Sequence, residues 1–90
     1  MSTVDSVTVT TTATEIVAPN SERQSLIIRN TSSGTVFLGK DDTVTTSNGT
    51  PLSRNEVLTE TNDGTRLYMG SYYGIVSTGT SDVRVWERTV

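Results

Sequence analysis

Residues 6–12 alternate, with Val7 and Val9 on one face and Thr8, Thr10 and Thr12 on the other; this two-residue period predicts a strand. The extended character continues over residues 14–17, stops at Pro19-Asn20-Ser21, and leaves residues 20–24 as a loop. Residues 25–30 are the clearest strand. Leu26 and Ile28 share a face, and Ile27 opposite them implies burial on both sides or contact with a neighbour. Residues 31–34 read as a turn and 35–39 as its return, with Val36 and Leu38 facing away from Phe37. Together they predict an antiparallel hairpin.

The second half repeats this rhythm. Residues 40–50 are a polar excursion with Val44 as the only apolar anchor, and Asn48-Gly49 is the pair favoured where a turn needs positive φ. Pro51-Leu52 docks that loop on the core. Residues 56–61 predict a strand, Asn62-Asp63-Gly64 a turn, and residues 66–69 the returning strand. Residues 70–74 break the pattern before 75–77, and residues 78–80 form the last turn. In the closing strand, 81–87, Val83, Val85 and Glu87 share one face, with Arg84, Trp86 and Arg88 on the other. About seven or eight short strands separated by regular turn signals predict a small antiparallel β-sandwich or barrel. The pattern leaves jelly-roll and immunoglobulin-like orders both open. Residues 1–12 form an extended arm or edge strand, and 13–90 a single domain.

Composition strengthens the all-β reading. Thr, Val and Ile contribute 18, 11 and 4 residues, and only Ala13 and Ala18 supply the strongest helix former. With 32% hydrophobic residues the core must be thin. The absence of His and Cys excludes zinc sites of the Cys/His type, Ser-His-Asp chemistry, thiol nucleophiles and disulfides. A net charge of −3 provides no basic footprint for nucleic acid. No apolar run is long enough to cross a bilayer and no secretory signal is visible, so the expected site of synthesis is a reducing cytoplasm. Asn30-Thr31-Ser32 and Asn48-Gly49-Thr50 are therefore read as turns, not glycan acceptors.

Candidate chemistry is sparse. Asp41-Asp42 lacks the spacing of a calcium loop, and Glu56 and Glu60 share a strand face without a defined cleft. Lys40, the only Lys, lies beside two Asp that favour its charged form over the free amine a base requires. Residues 70–74 lack the spacing and the Lys of a phosphate loop. The expectation is a protein without enzymatic activity, cofactor or metal. Tyr68, Tyr72 and Tyr73 suit the core, a protein interface or sugar stacking. Trp86, between Arg84 and Arg88, is either packed on the second face of its strand or an exposed anchor flanked by cations.

A chain this small has little apolar surface to hide, so association is expected. The Thr-rich stretch carries no charge from Ser6 to Thr14 and could pair with the edge of an adjacent subunit. Val7, Val9, Tyr68, Tyr72, Tyr73 and Trp86 are the candidate interface residues. Under this expectation, deleting residues 1–12 weakens assembly and leaves the remainder folded.

The run from Ala13 through Glu22-Arg23-Gln24-Ser25-Leu26-Ile27-Ile28-Arg29-Asn30 resembles small virion proteins of tailed bacteriophages. So do Gly34-Thr35-Val36-Phe37-Leu38-Gly39 and the ending Gly74-Ile75-Val76 through Val83-Arg84-Val85-Trp86-Glu87. The resemblance spans residues 13–87 and implies a β-sandwich virion component of the capsid decoration (cement) or head-fibre type. Its partner would be the major capsid protein or another virion protein, it would be a homo-oligomer, with a trimer favoured, and its place would be the virion, assembled in the host cytoplasm. The alternatives are a tail or fibre module that binds host glycan through its aromatics, or a head-to-tail adaptor.

Overall fold

The computed structural model describes residues 2–61 and 68–89. The chain is all-β, with β1 (Ser2–Val9), β2 (Thr14–Val17), β3 (Arg23–Asn30), β4 (Val36–Gly39), β5 (Thr50–Leu52), β6 (Val57–Thr61), β7 (Tyr72–Ile75) and β8 (Ser81–Thr89). They form two antiparallel four-stranded sheets in the orders β1-β8-β3-β6 and β2-β7-β4-β5. That interleaving is the strand order of an eight-stranded jelly roll. Consecutive strands change sheets at every connection except β4 to β5, which joins two paired strands.

The alternation seen in the sequence becomes the two faces of each sheet. Val9, Leu26, Ile28, Val83 and Val85 point inward from the first sheet. They meet Ile16, Val17, Val36, Leu38, Leu52 and Tyr72 from the second, with Val76 beyond the end of β7. Val44 is buried as the anchor of its loop. Gly74 makes room for inward side chains of the strands beside it: a Cβ there would lie 2.7 Å from Ile16 Cδ1 on β2 and 3.0 Å from Val36 Cγ1 on β4.

Several local expectations are corrected. Residues 25–30 and 35–39 do not form a hairpin: β3 pairs with β8 and β6, whereas β4 pairs with β7 and β5. The intervening residues cross between sheets because the buried Asn30 amide ties them there. Its Nδ2 donates to the Gly34 and Leu52 carbonyls at 2.7 and 2.9 Å, and its Oδ1 accepts from the Ser32 N–H. Tyr72, Tyr73 and Gly74 lie in strand β7, not in a break, because Gly74 serves packing. Tyr68 and Met69 are not in a strand, and the rest of the expected return, with the Asn62–Gly64 turn, lies outside the described residues. Gly49 does not take positive φ; its N–H donates to the Thr45 carbonyl at 2.9 Å, and a Cβ would fall 2.7 Å from Phe37 Cβ. Residues 1–12 include edge strand β1, in register with β8 from Ser2↔Arg88 to Val9↔Ser81. Their deletion would remove a core residue and a whole ladder, so the remainder would not stay intact.

Residues 20–24, read as a loop, contain the start of β3 and the most deeply buried charge among the described residues. The Arg23 side chain is fully enclosed. Its Nε donates to Glu87 Oε2 at 2.6 Å, Nη1 to the carbonyls of Tyr68 (3.0 Å) and Gly70 (2.9 Å), and Nη2 to that of Ala18 (2.9 Å). The Asn20 N–H donates to the Met69 carbonyl at 2.8 Å. Beside this knot the Tyr72 hydroxyl donates to Glu60, and Tyr68 meets the Tyr72 ring edge-on at 5.2 Å.

Replacing Arg23 with Met should cost about 3–5 kcal/mol in urea unfolding, because Glu87 and three carbonyls lose their donors. Burial first, then the hydrogen bond and charge of Glu60, push the Tyr72 phenol far above its ordinary value. The folded chain therefore holds that proton more tightly than the unfolded chain. The associated stability is intact below about pH 10, the ordinary phenol value, and falls as pH rises beyond it. Thermal midpoints measured across that range should decline for the wild type and flatten in Tyr72→Phe.

Candidate functional site

The outward face of the β1-β8-β3-β6 sheet carries a row of apolar side chains. Register places Val4 opposite Trp86, Trp86 opposite Ile27, and Ile27 opposite Thr59. Val4 is 78% exposed and Trp86 53% exposed, the two most exposed large apolar residues of those described. Ile27 is half-buried between them and the next strand. Val4, Ile27, Arg29, Arg84, Val85 and Trp86 line a shallow recess of about 200 Å³.

Arginines frame this row on both sides. Arg29 and Arg84 are directly opposite each other across β3 and β8, next to Val57 and Ser6 of the outer strands. Arg88 pairs in register with Ser25 on the other side. There Gln24, Ser25, Thr61 and Arg88 line a second, polar recess of about 280 Å³. Arg84 has an exposed ion pair with Asp82 at 3.4 Å, and such a pair is worth little in water. Two like charges set opposite each other in a ladder lower stability, so the Arg29–Arg84 pairing does not favour the fold. An exposed Trp with guanidiniums around it is the chemistry that concentrates binding energy in protein interfaces.

The expected interface residues do not converge here. Val9 is fully buried and Val7 packs partly against the core, because the two share the inward face of β1. Tyr72 is in the core, and Tyr68 packs against it beneath Lys40, whose Nζ lies 4.6 Å from the ring centroid. Tyr73 lies on the opposite side of β7, half-buried; desolvation, followed by Glu15 and Asp42, raises its phenol pKa. The tyrosines therefore provide no common stacking platform. Trp86 alone of the six is openly exposed, and its partners Val4, Ile27 and Arg29 come from strands whose adjacency the sequence does not declare. The signal that could have found Ile27 is its place out of phase between two core residues.

The candidate acids have structural partners. Asp41 accepts from the Thr43 hydroxyl and N–H, which hold its carboxyl below the usual range. Glu56 accepts from the Ser53 N–H and Glu60 from Tyr72. Among the described residues, no three acidic side chains gather as a metal site would require. Between the sheets, Leu38, Gly39, Lys40, Thr50, Leu58 and Tyr72 line an apolar recess of about 140 Å³. No family model, curated protein or solved structure matches this chain.

Replacing Arg29 with Thr should leave the fold intact and raise its stability by about 0.2–1 kcal/mol, since it relieves the like-charge pairing and keeps a good strand former. Urea unfolding of Arg29→Thr beside the wild type measures this.

Proposed function

We propose that this chain is a non-enzymatic virion structural protein of a tailed bacteriophage that decorates the capsid exterior and stabilises the head. The observation that carries the reading is the exposed Val4–Trp86–Ile27 row with Arg29 and Arg84 opposed beside it. This face offers adhesion to a surface with apolar and acidic groups, the complement expected on the major capsid protein. Its rigid sheet keeps the contact residues ordered before binding, so little conformational entropy is lost on docking. The jelly-roll order supports the reading by analogy, since capsid proteins use it; lectins use it too, so the analogy alone does not choose. Burial of Tyr72 and the separation of Tyr68 from Tyr73 weigh against tyrosine-based sugar recognition.

Densitometry of purified virions should give a copy number comparable with that of the major capsid protein. Particles lacking the chain should rupture at lower temperature, with rescue by added wild-type protein and not by Trp86→Ala. A handful of copies at one vertex, or equal rescue by Trp86→Ala, would reject the cementing role.

A further inference from the structure

The two sheets have four outer edges, and three carry features that discourage further pairing. Strand β5 has three residues and includes Pro51. Strand β2 has four residues, and its register shifts between Glu15 and Val17. Strand β6 has five residues, and its Glu60 points inward to Tyr72. Strand β1 differs from all three. It runs for eight residues in unbroken register with β8, and it contains neither Pro nor a basic residue. Its single charge is Asp5, whose Oδ1 accepts the Ser6 N–H at 2.8 Å. A backbone donor on this strand thus turns to a neighbouring side chain instead of to another strand.

We infer that β1 is a self-pairing edge: two copies of this chain join antiparallel along it, with the two-fold axis at Val4, to make one continuous eight-stranded sheet. Backbone groups along β1 then gain ladder partners. The axis position follows from side chains. An axis at Asp5 would set two carboxylates opposite each other, which opposes pairing. An axis at Val4 sets the most exposed large apolar side chain of those described against its twin. It also joins the two outer apolar rows into a single band running Ile27, Trp86, Val4, then Val4, Trp86 and Ile27 of the second copy. Each copy uses its β1 edge once, so the symmetry closes at two. This pairing needs no virion and stands whether or not the chain decorates a capsid.

The test uses the purified full chain, which has no Cys of its own. Sedimentation should show a concentration-dependent monomer–dimer equilibrium. Val4→Cys should form a disulfide-linked dimer under mild oxidation, because residues opposed across a strand pair meet the Cα spacing that a disulfide requires. Ser6→Cys, off the axis, should cross-link at least tenfold less. Val4→Lys should sediment as a monomer while retaining the wild-type β-sheet circular dichroism spectrum. In the wild-type dimer, hydrogen exchange should protect successive amides of β1, against alternate ones in Val4→Lys. A monomer at all concentrations, a three-fold oligomer, or cross-linking stronger at Ser6→Cys than at Val4→Cys would overturn the inference.

Discussion

The enclosed guanidinium of Arg23 is the interaction on which the architecture depends. A buried positive charge is costly unless it is paired and hydrogen-bonded, and here one side chain reaches three parts of the chain. It holds Glu87 on β8, the carbonyls of Tyr68 and Gly70 before β7, and that of Ala18 after β2. Those contacts lie 5 to 64 residues away from it in sequence. A thin aliphatic core supplies a general tendency to collapse, but the fixed fork of Arg23 specifies which segments meet at this end. Asn30 does the same work at its own crossover, joining Gly34 to Leu52. Both residues sit at the ends of β3, so that strand is fastened at each terminus by a buried polar side chain.

This fastening separates the roles of the two faces of the first sheet. Inward positions are committed to Leu26, Ile28, Val83 and Val85, and at the polar end to Glu60 and Glu87. Outward positions carry Val4, Trp86, Ile27 and three arginines, which contribute little to packing. The opposed Arg29 and Arg84 are tolerated because the core and the buried knot hold the ladder from the other side. Of the seven basic residues in the chain, three thus lie together on one face of a molecule whose net charge is −3. The face is locally basic on an acidic protein, an arrangement that orients an approaching acidic partner toward it.

Much of the fold was legible in the sequence because strand alternation records burial directly. Leu26 and Ile28, Val83 and Val85, Val36 and Leu38, and the lone anchor Val44 all lie where the pattern put them. The errors have physical causes. Arg23 stands among polar residues, and nothing local distinguishes an arginine that will be enclosed from one in a loop. Gly74 looked like punctuation because a glycine that makes room for side chains of the adjacent strands is written like a glycine that turns the chain. Strand order was not legible, since pairing partners such as β1 and β8 are separated by nearly the whole sequence. For that reason Trp86 was recognised with its sequence neighbours Arg84 and Arg88, whereas Val4, Ile27 and Arg29 were not.

Under the proposed function, the outer face of the first sheet is the surface that meets the rest of the particle. Trp86 is the only tryptophan in the chain, so its fluorescence measures that claim without a label. In the isolated protein, its emission should be that of a solvated indole and should be quenched readily by iodide, which the surrounding arginines attract. On the assembled particle, the emission should shift to shorter wavelength and the quenching should disappear. A shielded, unquenched Trp86 in the isolated chain, or identical spectra before and after assembly, would contradict the account.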